Sequence, residues 1–266
     1  MILLYVGAAL LVLLFIGVPV AFSLAGLGTV LLWLKGLPMA MIAQNLQGAL
    51  NNFVLLSVPL FLLMSNILLK GGVGRDLFEA VQKWVGHWPG GLGVAALLSC
   101  GIFSAISGSS VATAATVGTV AIPEMTRRGY GKGFTLGLLA AGGTLGILIP
   151  PSIPLIVYGV ITEESIGKLF LAGVVPGLLL ILLFGIYTVI YAIMSGQQQS
   201  VQKATWTERR TATWRALPTV GLAVLILGVI YSGAFTPTEA SAIGVAAAFL
   251  LTAFFLRTLT FKTFYE

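Results

Sequence analysis

Three clusters of hydroxyl-bearing, glycine and proline residues interrupt two uncharged, apolar stretches in the middle of the chain. Ser107-Gly108-Ser109-Ser110 divides residues 88–123, while Gly142-Gly143-Thr144 and Pro150-Pro151-Ser152 divide residues 133–162. Two consecutive prolines stop a helix, because proline lacks an amide donor and clashes with the preceding turn. Carbonyl and hydroxyl oxygens at such breaks can bind a cation such as Na⁺, and free amides at helix starts can bind an anion. The pattern predicts a small-ion binding site in apolar surroundings.

The elements that carry these clusters must lie in a membrane. A crossing helix needs about 20 apolar residues to span about 30 Å of hydrocarbon, and the 36 residues of the stretch 88–123 are too many for one crossing. Division at the serine cluster leaves two arms of about 14 residues, each about 20 Å long as a helix. We therefore predict a re-entrant hairpin with its tip at Ser107–Ser110, followed by a broken helix over 133–162. Irregular backbone at that depth is tolerated where it lines a cavity or is buried in protein.

The composition supports an all-α polytopic membrane protein. Of the 266 residues, 58% are hydrophobic and only 8% are charged, whereas soluble domains carry about 25% charged residues. The net charge of +6 does not indicate a nucleic-acid partner, because the basic residues lie between apolar runs; the lipid bilayer is the predicted environment. Cys100, the single cysteine, lies within the hairpin and is predicted to be a small buried apolar residue.

We predict three parts along the chain. Two consecutive broken elements in apolar runs are typical of a transporter binding site. Residues 1–87 are therefore expected to form scaffold-type helices and an amphipathic connector, and 88–162 the transport core. Residues 163–266 are expected to contain a crossing helix, a cytoplasmic loop and further helices. Within these parts, 70–87 and 195–215 are predicted as hydrophilic loops, and Pro176-Gly177 as an interruption of the crossing helix.

The distribution of basic residues predicts the orientation. If the hairpin leaves on the side where it enters, the loops 70–87, 124–132 and 195–215 share one side of the membrane. Together with Arg257 and Lys262 they hold twelve of the fourteen Lys and Arg residues. Basic loops are enriched on the cytoplasmic side, which predicts a multi-pass protein of the cytoplasmic (inner) membrane with these loops inside. Lys35 and Lys168 are predicted to lie on the other side.

A weak internal symmetry is visible between the two ends of the chain. Residues 2–34 and 217–256 each consist of two apolar runs separated by a proline-containing break and followed by a basic residue. If each is a pair of short crossings, the two pairs have opposite orientations, as in inverted-topology repeats. This predicts a first repeat followed by only the start of a second, so that the sequence is interpreted as truncated relative to a complete transporter.

Rows of small residues at helical spacing have a simpler interpretation than ligand binding. One row contains Ser104, Gly108, Ala112 and Thr116, and a second contains Gly129, Gly133, Gly137 and Ala141. Such rows let membrane helices approach closely. We interpret the rows as packing surfaces and reserve the binding role for the breaks.

The residues needed for an enzyme are missing from the apolar stretches. A nucleophilic serine needs a base within hydrogen-bond reach, but the only histidine, His87, lies outside the hairpin and Asp76 is the only aspartate. The sequence has no Cys/His cluster with metal-ligand spacing and no phosphate-binding Gly-Lys-Ser/Thr motif. Glu239 follows Thr238 and is predicted to serve a helix N-terminus. We therefore predict that the chain is not an enzyme.

At these same residues the sequence resembles the large, DctM-like membrane subunit of TRAP (tripartite ATP-independent periplasmic) transporters. The resemblance is carried by SAISGSSVATAATVGTVAIPEMTRRGY (104–130), AAGGTLGILIPPSIPLIVYG (140–159), SIGKLFLAGVVPGLLL (165–180) and FTPTEASAIGVAAA (235–248). It runs along nearly the whole chain. Compared with this family, the sequence lacks a match to the second hairpin and to the second broken helix.

The resemblance implies a Na⁺-driven, elevator-type secondary transporter. It would work with a small four-helix membrane subunit and a periplasmic binding protein, with Na⁺ as coupling ion and no other cofactor. The expected substrate is a carboxylate such as a C4-dicarboxylate or a sialic acid. One family Na⁺ site lies between the first hairpin and the first broken helix, which here implies the group Ser109, Ser110, Gly143, Thr144 and Pro150.

The substrate carboxylate is expected at the half-helix N-termini of the two breaks. This assigns substrate binding to Ser107, Gly108, Ser109, Pro151 and Ser152. Two alternatives stay open: a non-transporting scaffold that assembles through its small-residue faces, and a channel. The scaffold predicts no substrate-dependent Na⁺ binding, and a flux that saturates with substrate argues against the channel.

Overall fold

The computed structural model describes residues 2–196, 202–256 and 258, and these residues form helices and connecting turns without a β-strand. The all-α prediction is confirmed. The chain divides into two units, one ending at Asn52 and the other beginning at Phe53. The division into parts at 87 and 162 stays a prediction.

The first unit contains three helices: α1 (Ile2–Phe15), α2 (Val20–Leu34) and α3 (Ala40–Leu50). α1 and α2 contact each other and are separated at the predicted break, where Gly17 has a φ of 93° and Pro19 precedes α2. The first apolar run is therefore a pair of helices. The semi-polar stretch after it is helical, and its location at the membrane interface stays a prediction.

The second unit begins with a 3-10 turn, Phe53–Leu56, and contains nine described helices. These are α4 (Ser57–Lys70), α5 (Val73–Val85), α6 (Gly91–Ser107), α7 (Ser110–Arg127), α8 (Lys132–Leu148), α9 (Ile153–Thr162), α10 (Ile166–Met194), α11 (Trp206–Tyr231) and α12 (Pro237–Leu250). A π-helical turn, Leu251–Phe255, follows α12. Five described segments are long and apolar enough to cross a membrane: Phe53–Lys70, Lys132–Thr162, Ile166–Met194, Trp206–Tyr231 and Pro237–Phe254.

Three predictions about loops and breaks outside the hairpin and the broken helix are wrong. The predicted loop 70–87 contains helix α5, which buries Leu77 and Phe78 on one face while its charged residues face outward. The predicted loop 195–215 ends early, because α11 begins at Trp206 with a capping box between Thr205 and Glu208. The predicted interruption at Pro176 lies inside the continuous helix α10. Charge and proline were interpreted as loop signals, but a helix tolerates charges on one face and proline where neighbouring helices satisfy the freed backbone groups.

The hairpin forms as predicted, with longer arms. α6 has 17 residues and α7 has 18, because α7 continues through Pro123 to Arg127. Its two open ends lie together: Tyr130, just after α7, stacks on Phe134 with ring centroids 6.2 Å apart, and a Cβ on Gly93 near the start of α6 would lie 3.7 Å from the Phe134 ring. The chain thus leaves the hairpin at the end where it enters.

The first helix of the broken element starts at this same end. Phe134, near the start of α8, stacks on Tyr191 near the end of α10, with ring centroids 4.1 Å apart. α8 is about 25 Å long and α9 adds about 15 Å beyond the break. The hairpin tip meets the break, so it turns inside the bundle, short of the far end of α9.

The loops predicted to share one side do lie at one end of the second unit. A charged cleft of about 1180 Å³ at this end is lined by residues from α5, from the end of α7 and from the segment before α11, including Lys83, Arg128 and Lys203. Lys168, near the start of α10, belongs to the opposite end. Arg257 and Lys262 lie outside the described residues, and the cytoplasmic assignment stays a prediction.

Helix α6 forms the centre of the second unit. Fourteen of its 17 residues are buried, among them Cys100, which is fully enclosed as predicted. Glu239 lies at the start of α12, where Thr236 and Glu239 form a reciprocal capping box. The prediction for Glu239 is confirmed.

Candidate substrate and cation site

The hairpin tip is a two-residue turn between two helix ends. Gly108 closes α6 in the left-handed conformation, with a φ of +62°, and its amide donates to the Ser104 carbonyl at 3.2 Å. Ser109 is extended and caps α7, since its hydroxyl accepts a hydrogen bond from the Ala112 amide at 3.4 Å. Glycine suits the first position because a side chain is disfavoured at positive φ, and serine suits the second because it replaces a missing helical acceptor.

Three buried hydroxyls join the two arms just below the tip. The Thr113 hydroxyl lies 2.8 Å from that of Ser107 and 3.4 Å from that of Ser104. All three side chains are fully buried. A buried hydroxyl without a partner costs about 1–3 kcal/mol, so these bonds hold the arms in register. The Ser107 hydroxyl is therefore part of the internal bonding of the hairpin.

The break between α8 and α9 is a proline turn closed by a serine cap. It contains a cis peptide bond between Pro150 and Pro151. The Ser152 hydroxyl donates to the Ile147 carbonyl of α8 and accepts from the Leu155 amide of α9 at 3.5 Å. One buried side chain thus bonds to both helix ends.

The tip and the break are in direct backbone contact. The Ile153 amide, at the start of α9, donates to the Gly108 carbonyl at 3.1 Å. A Cβ atom on Gly108 would lie 2.5 Å from the Pro151 carbonyl oxygen, and one on Gly146 would lie 2.8 Å from the Ser109 carbonyl carbon. The approach is closer than side chains permit, and it joins the two predicted clusters into one site.

The other predicted break, at Gly142–Thr144, does not exist as a break, because α8 is continuous through it. Its glycines form the face that packs against the hairpin. A Cβ on Gly142 would lie 2.9 Å from the Cys100 sulfur, and one on Gly143 would lie 2.9 Å from the Ala114 Cβ and 3.0 Å from the Ser110 carbonyl oxygen. This agrees with the packing interpretation of small residues.

Four helix ends converge at this contact. The C-termini of α6 and α8 present carbonyl oxygens with partial negative charge, and the N-termini of α7 and α9 present amides with partial positive charge. In the described ranges no group of three or more His, Cys, Asp or Glu could hold a metal ion. Oxygens of the carbonyl and hydroxyl type suit Na⁺, while helix N-termini suit a carboxylate.

The structure places the predicted site residues differently. Gly108, Ser109 and Ser110 lie against Pro151 and the glycine face of α8. Thr144 is exposed, with its hydroxyl donating to the Ala141 carbonyl of its own helix at 2.6 Å. The hydroxyls of Ser107 and Ser152 are engaged in internal bonds, and Pro150 is buried. The structure therefore brings backbone groups together more than side chains.

Two residues at the site are not among those predicted to bind a ligand. Thr113 bonds to both serines of α6, and Gly146 contacts the tip. The i, i+3 spacing of Ser104 and Ser107 puts two hydroxyls on one face of α6, and a hydroxyl in the first turn of α7 is their nearest possible partner in a tight hairpin. That signal could have identified Thr113 from the sequence.

A second polar site lies at the open end, at the charged cleft. Glu124 forms ion pairs with Arg127 at 2.6 Å and with Arg128 at 2.9 Å. Burial alone raises the pKa of the Glu124 carboxyl, but the hydrogen bond from Arg128 and the charges of both arginines outweigh this and lower the pKa below its ordinary value. These ion pairs hold the end of α7 together, and the side chain of Gln82 on α5 also lowers the pKa of Glu124.

Comparison with known proteins gives consistent matches. Residues 8–266 match the family described as the tripartite ATP-independent periplasmic transporter, DctM component. The chain is 48% identical to the C4-dicarboxylate TRAP transporter large permease protein of Pseudomonas aeruginosa over 79% of the chain and 49% of that protein. It is 41% identical to the ectoine TRAP transporter large permease protein of Halomonas elongata over 85% of the chain and 53% of that protein.

A third relative, the C4-dicarboxylate TRAP transporter large permease protein of Vibrio cholerae, is 40% identical over 91% of the chain and 54% of that protein. The chain thus spans about half the length of these curated relatives. Their names describe permease subunits, which agrees with the prediction that the chain is not an enzyme. The family match covers almost the whole chain, including the hairpin and the broken helix. The chain belongs to the DctM component family of the tripartite ATP-independent periplasmic transporters.

Proposed function

We propose that this chain serves in the large permease subunit of a TRAP transporter that takes up an organic acid together with Na⁺. The observation that carries the proposal is the Ile153 amide bonded to the Gly108 carbonyl at 3.1 Å. This bond joins the hairpin tip to the helix break and brings four helix ends together without a charged side chain. Such half-helix ends are the means by which secondary transporters bind ions and small anions.

In this proposal the cation is held by oxygens. Na⁺ binds at the group Ser109, Ser110, Gly143, Thr144 and Pro150, mainly through backbone carbonyls, because the Thr144 hydroxyl is engaged within α8. The substrate carboxylate binds at the starts of α7 and α9, next to Ser109 and Pro151. Binding of both ligands shifts the population between inward-facing and outward-facing states, and the hairpin with the broken helix moves as an elevator relative to a scaffold.

The substrate class is a carboxylate, with a C4-dicarboxylate or a sialic-acid-like acid as the candidates. Two of the three relatives described above are named as C4-dicarboxylate permeases and the other as an ectoine permease. The uncharged, amide-rich tip can bind one carboxylate without a cationic side chain, so the rest of the ligand decides the specificity.

The proposed partners are a small TRAP membrane subunit and a periplasmic binding protein that delivers the substrate. The proposed location is the inner membrane, with the charged cleft and its basic residues on the cytoplasmic side. This orientation places the hairpin opening toward the cytoplasm. It agrees with the location of three basic loops at one end of the second unit.

The test is uptake into proteoliposomes that contain the chain together with the small subunit, the binding protein and any further permease segment encoded beside it. Radiolabelled succinate and sialic acid are supplied with an inward Na⁺ gradient, and a K⁺ gradient serves as the comparison. We expect saturable uptake of one acid that requires Na⁺. Ser109→Ala is expected to weaken the Na⁺ dependence.

Ser165→Ala is the matched control, since Ser165 also precedes a helix but its side chain makes no cap bond. This variant should transport like the unmodified chain. Equal uptake in Na⁺ and K⁺ would refute the coupling. No uptake of either acid, with Na⁺ binding also missing, would favour the scaffold alternative.

A further inference from the structure

A cluster of tryptophan and arginine side chains surrounds a small cavity at the start of α11. The cavity measures about 320 Å³, and its lining residues come from α5 and α11: Trp84, Trp206, Arg209, Arg210, Thr213, Trp214 and Leu217. It lies apart from the hairpin tip and contains no residue of the candidate transport site. Its lining is apolar apart from Thr213 and the two arginines.

The first arginine is held in place by aromatic rings. Trp84 donates from Nε1 to the Thr213 hydroxyl at 3.0 Å, and its ring meets that of Trp206 edge-on with centroids 5.7 Å apart. The Arg209 guanidinium carbon lies 5.3 Å from the Trp84 ring centroid. This cation–π contact fixes the guanidinium but satisfies none of its N–H donors.

Two of the guanidinium nitrogens of Arg209 lack an acceptor. Its Nε and Nη2 atoms are buried and have no hydrogen-bond partner within the part of the chain that the structure describes. Burial of a charged donor is costly unless an acceptor forms a hydrogen bond with it. The nearest acid in sequence, Glu208, bonds to Lys83 at 3.2 Å and to the Thr205 cap, and it does not line the cavity.

The position of the two arginines along α11 indicates which molecule accepts the hydrogen bonds of Arg209. The uninterrupted apolar part of α11 starts at Ala216, six or seven residues after the two arginines. At 1.5 Å per residue this places the guanidinium groups about 10 Å outside the apolar part, at the depth of lipid headgroups. Trp206 and Trp214 are 70% and 62% exposed, as expected of aromatic residues at a membrane interface.

We propose that this cluster binds an anionic phospholipid. The phosphate accepts hydrogen bonds from Arg209 and Arg210, whose fork-like guanidinium groups match phosphate geometry. The N-terminus of α11, which is the positive end of its helix dipole, lies beside the phosphate. The acyl chains run along Trp214 and Leu217 toward the apolar part of α11. The tryptophan and leucine side chains of the cavity favour a lipid, whose acyl chains cover them, over a free anion, which would leave them exposed.

Native mass spectrometry of the detergent-purified chain tests the site. The probes are phosphatidylglycerol and phosphatidylcholine with identical acyl chains. Each basic residue near an anionic surface contributes about fivefold in affinity, so two arginines predict a preference for phosphatidylglycerol of about 25-fold. In the double variant Arg209→Gln/Arg210→Gln, the chain should bind phosphatidylglycerol and phosphatidylcholine about equally. Arg75→Gln is the matched control, because Arg75 is exposed on α5 and pairs with Glu79 instead.

Further measurements keep the proposal refutable if the double variant folds poorly. Trp214→Ala should lower the affinity for both lipids and leave their ratio unchanged. Equal binding of both lipids by the unmodified chain would overturn the proposal without any variant. Displacement of the bound lipid by inorganic phosphate would show that the cavity takes a free anion, and would overturn the lipid assignment. Loss of the preference in Arg75→Gln would place the site elsewhere.

Discussion

The contact between the hairpin tip and the helix break depends on Gly108, which makes Gly108→Ala the most informative substitution. The new methyl group would lie 2.5 Å from the Pro151 carbonyl oxygen, a backbone atom that cannot rotate away. Gly108 also has a φ of +62°. The substitution therefore combines two costs, a backbone conformation disfavoured for alanine and a collision that pushes the tip away from the break.

The chain offers a control that separates these costs. Gly129, just after α7, has a φ of +82°, and a Cβ there would meet nothing within 4 Å. Gly129→Ala should cost only the conformational part, about 1–2 kcal/mol in the free energy of unfolding. The entropy that alanine removes from the unfolded chain is common to both variants and cancels in their comparison.

Gly108→Ala should cost considerably more. The collision adds about 1–3 kcal/mol, and loss of the bond from the Ile153 amide to the Gly108 carbonyl adds about 1 kcal/mol. We expect a total of about 3–6 kcal/mol, against about 1–2 for Gly129→Ala. Denaturant unfolding of both variants in the same detergent measures the difference.

Amide hydrogen exchange provides a local readout of the same contact. The Ile153 amide should exchange slowly in the unmodified chain and in Gly129→Ala, and much faster in Gly108→Ala. Equal destabilisation by the two substitutions, with an unchanged exchange rate at Ile153, would refute the contact between tip and break. It would also remove the main support for a shared binding site.

Three further predictions concern the packing and electrostatics around the hairpin. Gly142→Ala should destabilise the fold by about 1–3 kcal/mol, because the new methyl group would lie 2.9 Å from the Cys100 sulfur. Adding Cys100→Ala should recover part of this loss in denaturant unfolding, and no recovery would contradict the contact between Gly142 and Cys100. Thr113→Val should lower the free energy of unfolding by about 1–3 kcal/mol, because the buried Ser107 hydroxyl loses its partner at 2.8 Å. Denaturant unfolding measures this loss as well, and an unchanged midpoint would show that the hydroxyls do not hold the hairpin arms together. The pKa of Glu124 is lower in the folded state than its ordinary value of 4.5, so the stabilisation by the Glu124 carboxylate is complete above pH 4.5 and is lost as the pH falls through the lower folded pKa. The thermal midpoint should therefore fall more between pH 7 and pH 3.5 in the unmodified chain than in Glu124→Gln. Equal falls in both proteins would refute the stabilising role of Glu124.

The general architecture could be predicted from the sequence because it depends on composition and segment length. Uncharged runs long enough to span hydrocarbon, and a serine-glycine cluster in the middle of a run too long for one crossing, indicate helices and a hairpin directly. The helix start at Thr236 also follows from local chemistry, since its cap needs only residues three positions apart. In these cases the decisive interactions are close in sequence.

Other features depended on tertiary contacts. Gly142-Gly143 has the composition of a break, yet α8 continues through it because the hairpin packs against those glycines. Residues 70–87 were interpreted as a loop from their charges, although α5 buries an apolar face against its neighbours. Packing against distant residues overrides the local preference at Gly142-Gly143, whereas the apolar residues of α5 already recur at helical spacing in the sequence.

For the candidate site, the sequence by itself determined which residues are available: uncharged helix ends, hydroxyls and glycines at two positions of the chain. Only the tertiary structure decided that Gly108 and Ile153 meet and that the Thr144 hydroxyl is engaged within α8. The physical reason is that a cap or a helix break is stabilised within a few residues. Contact between two helix ends 45 positions apart depends on how whole helices pack.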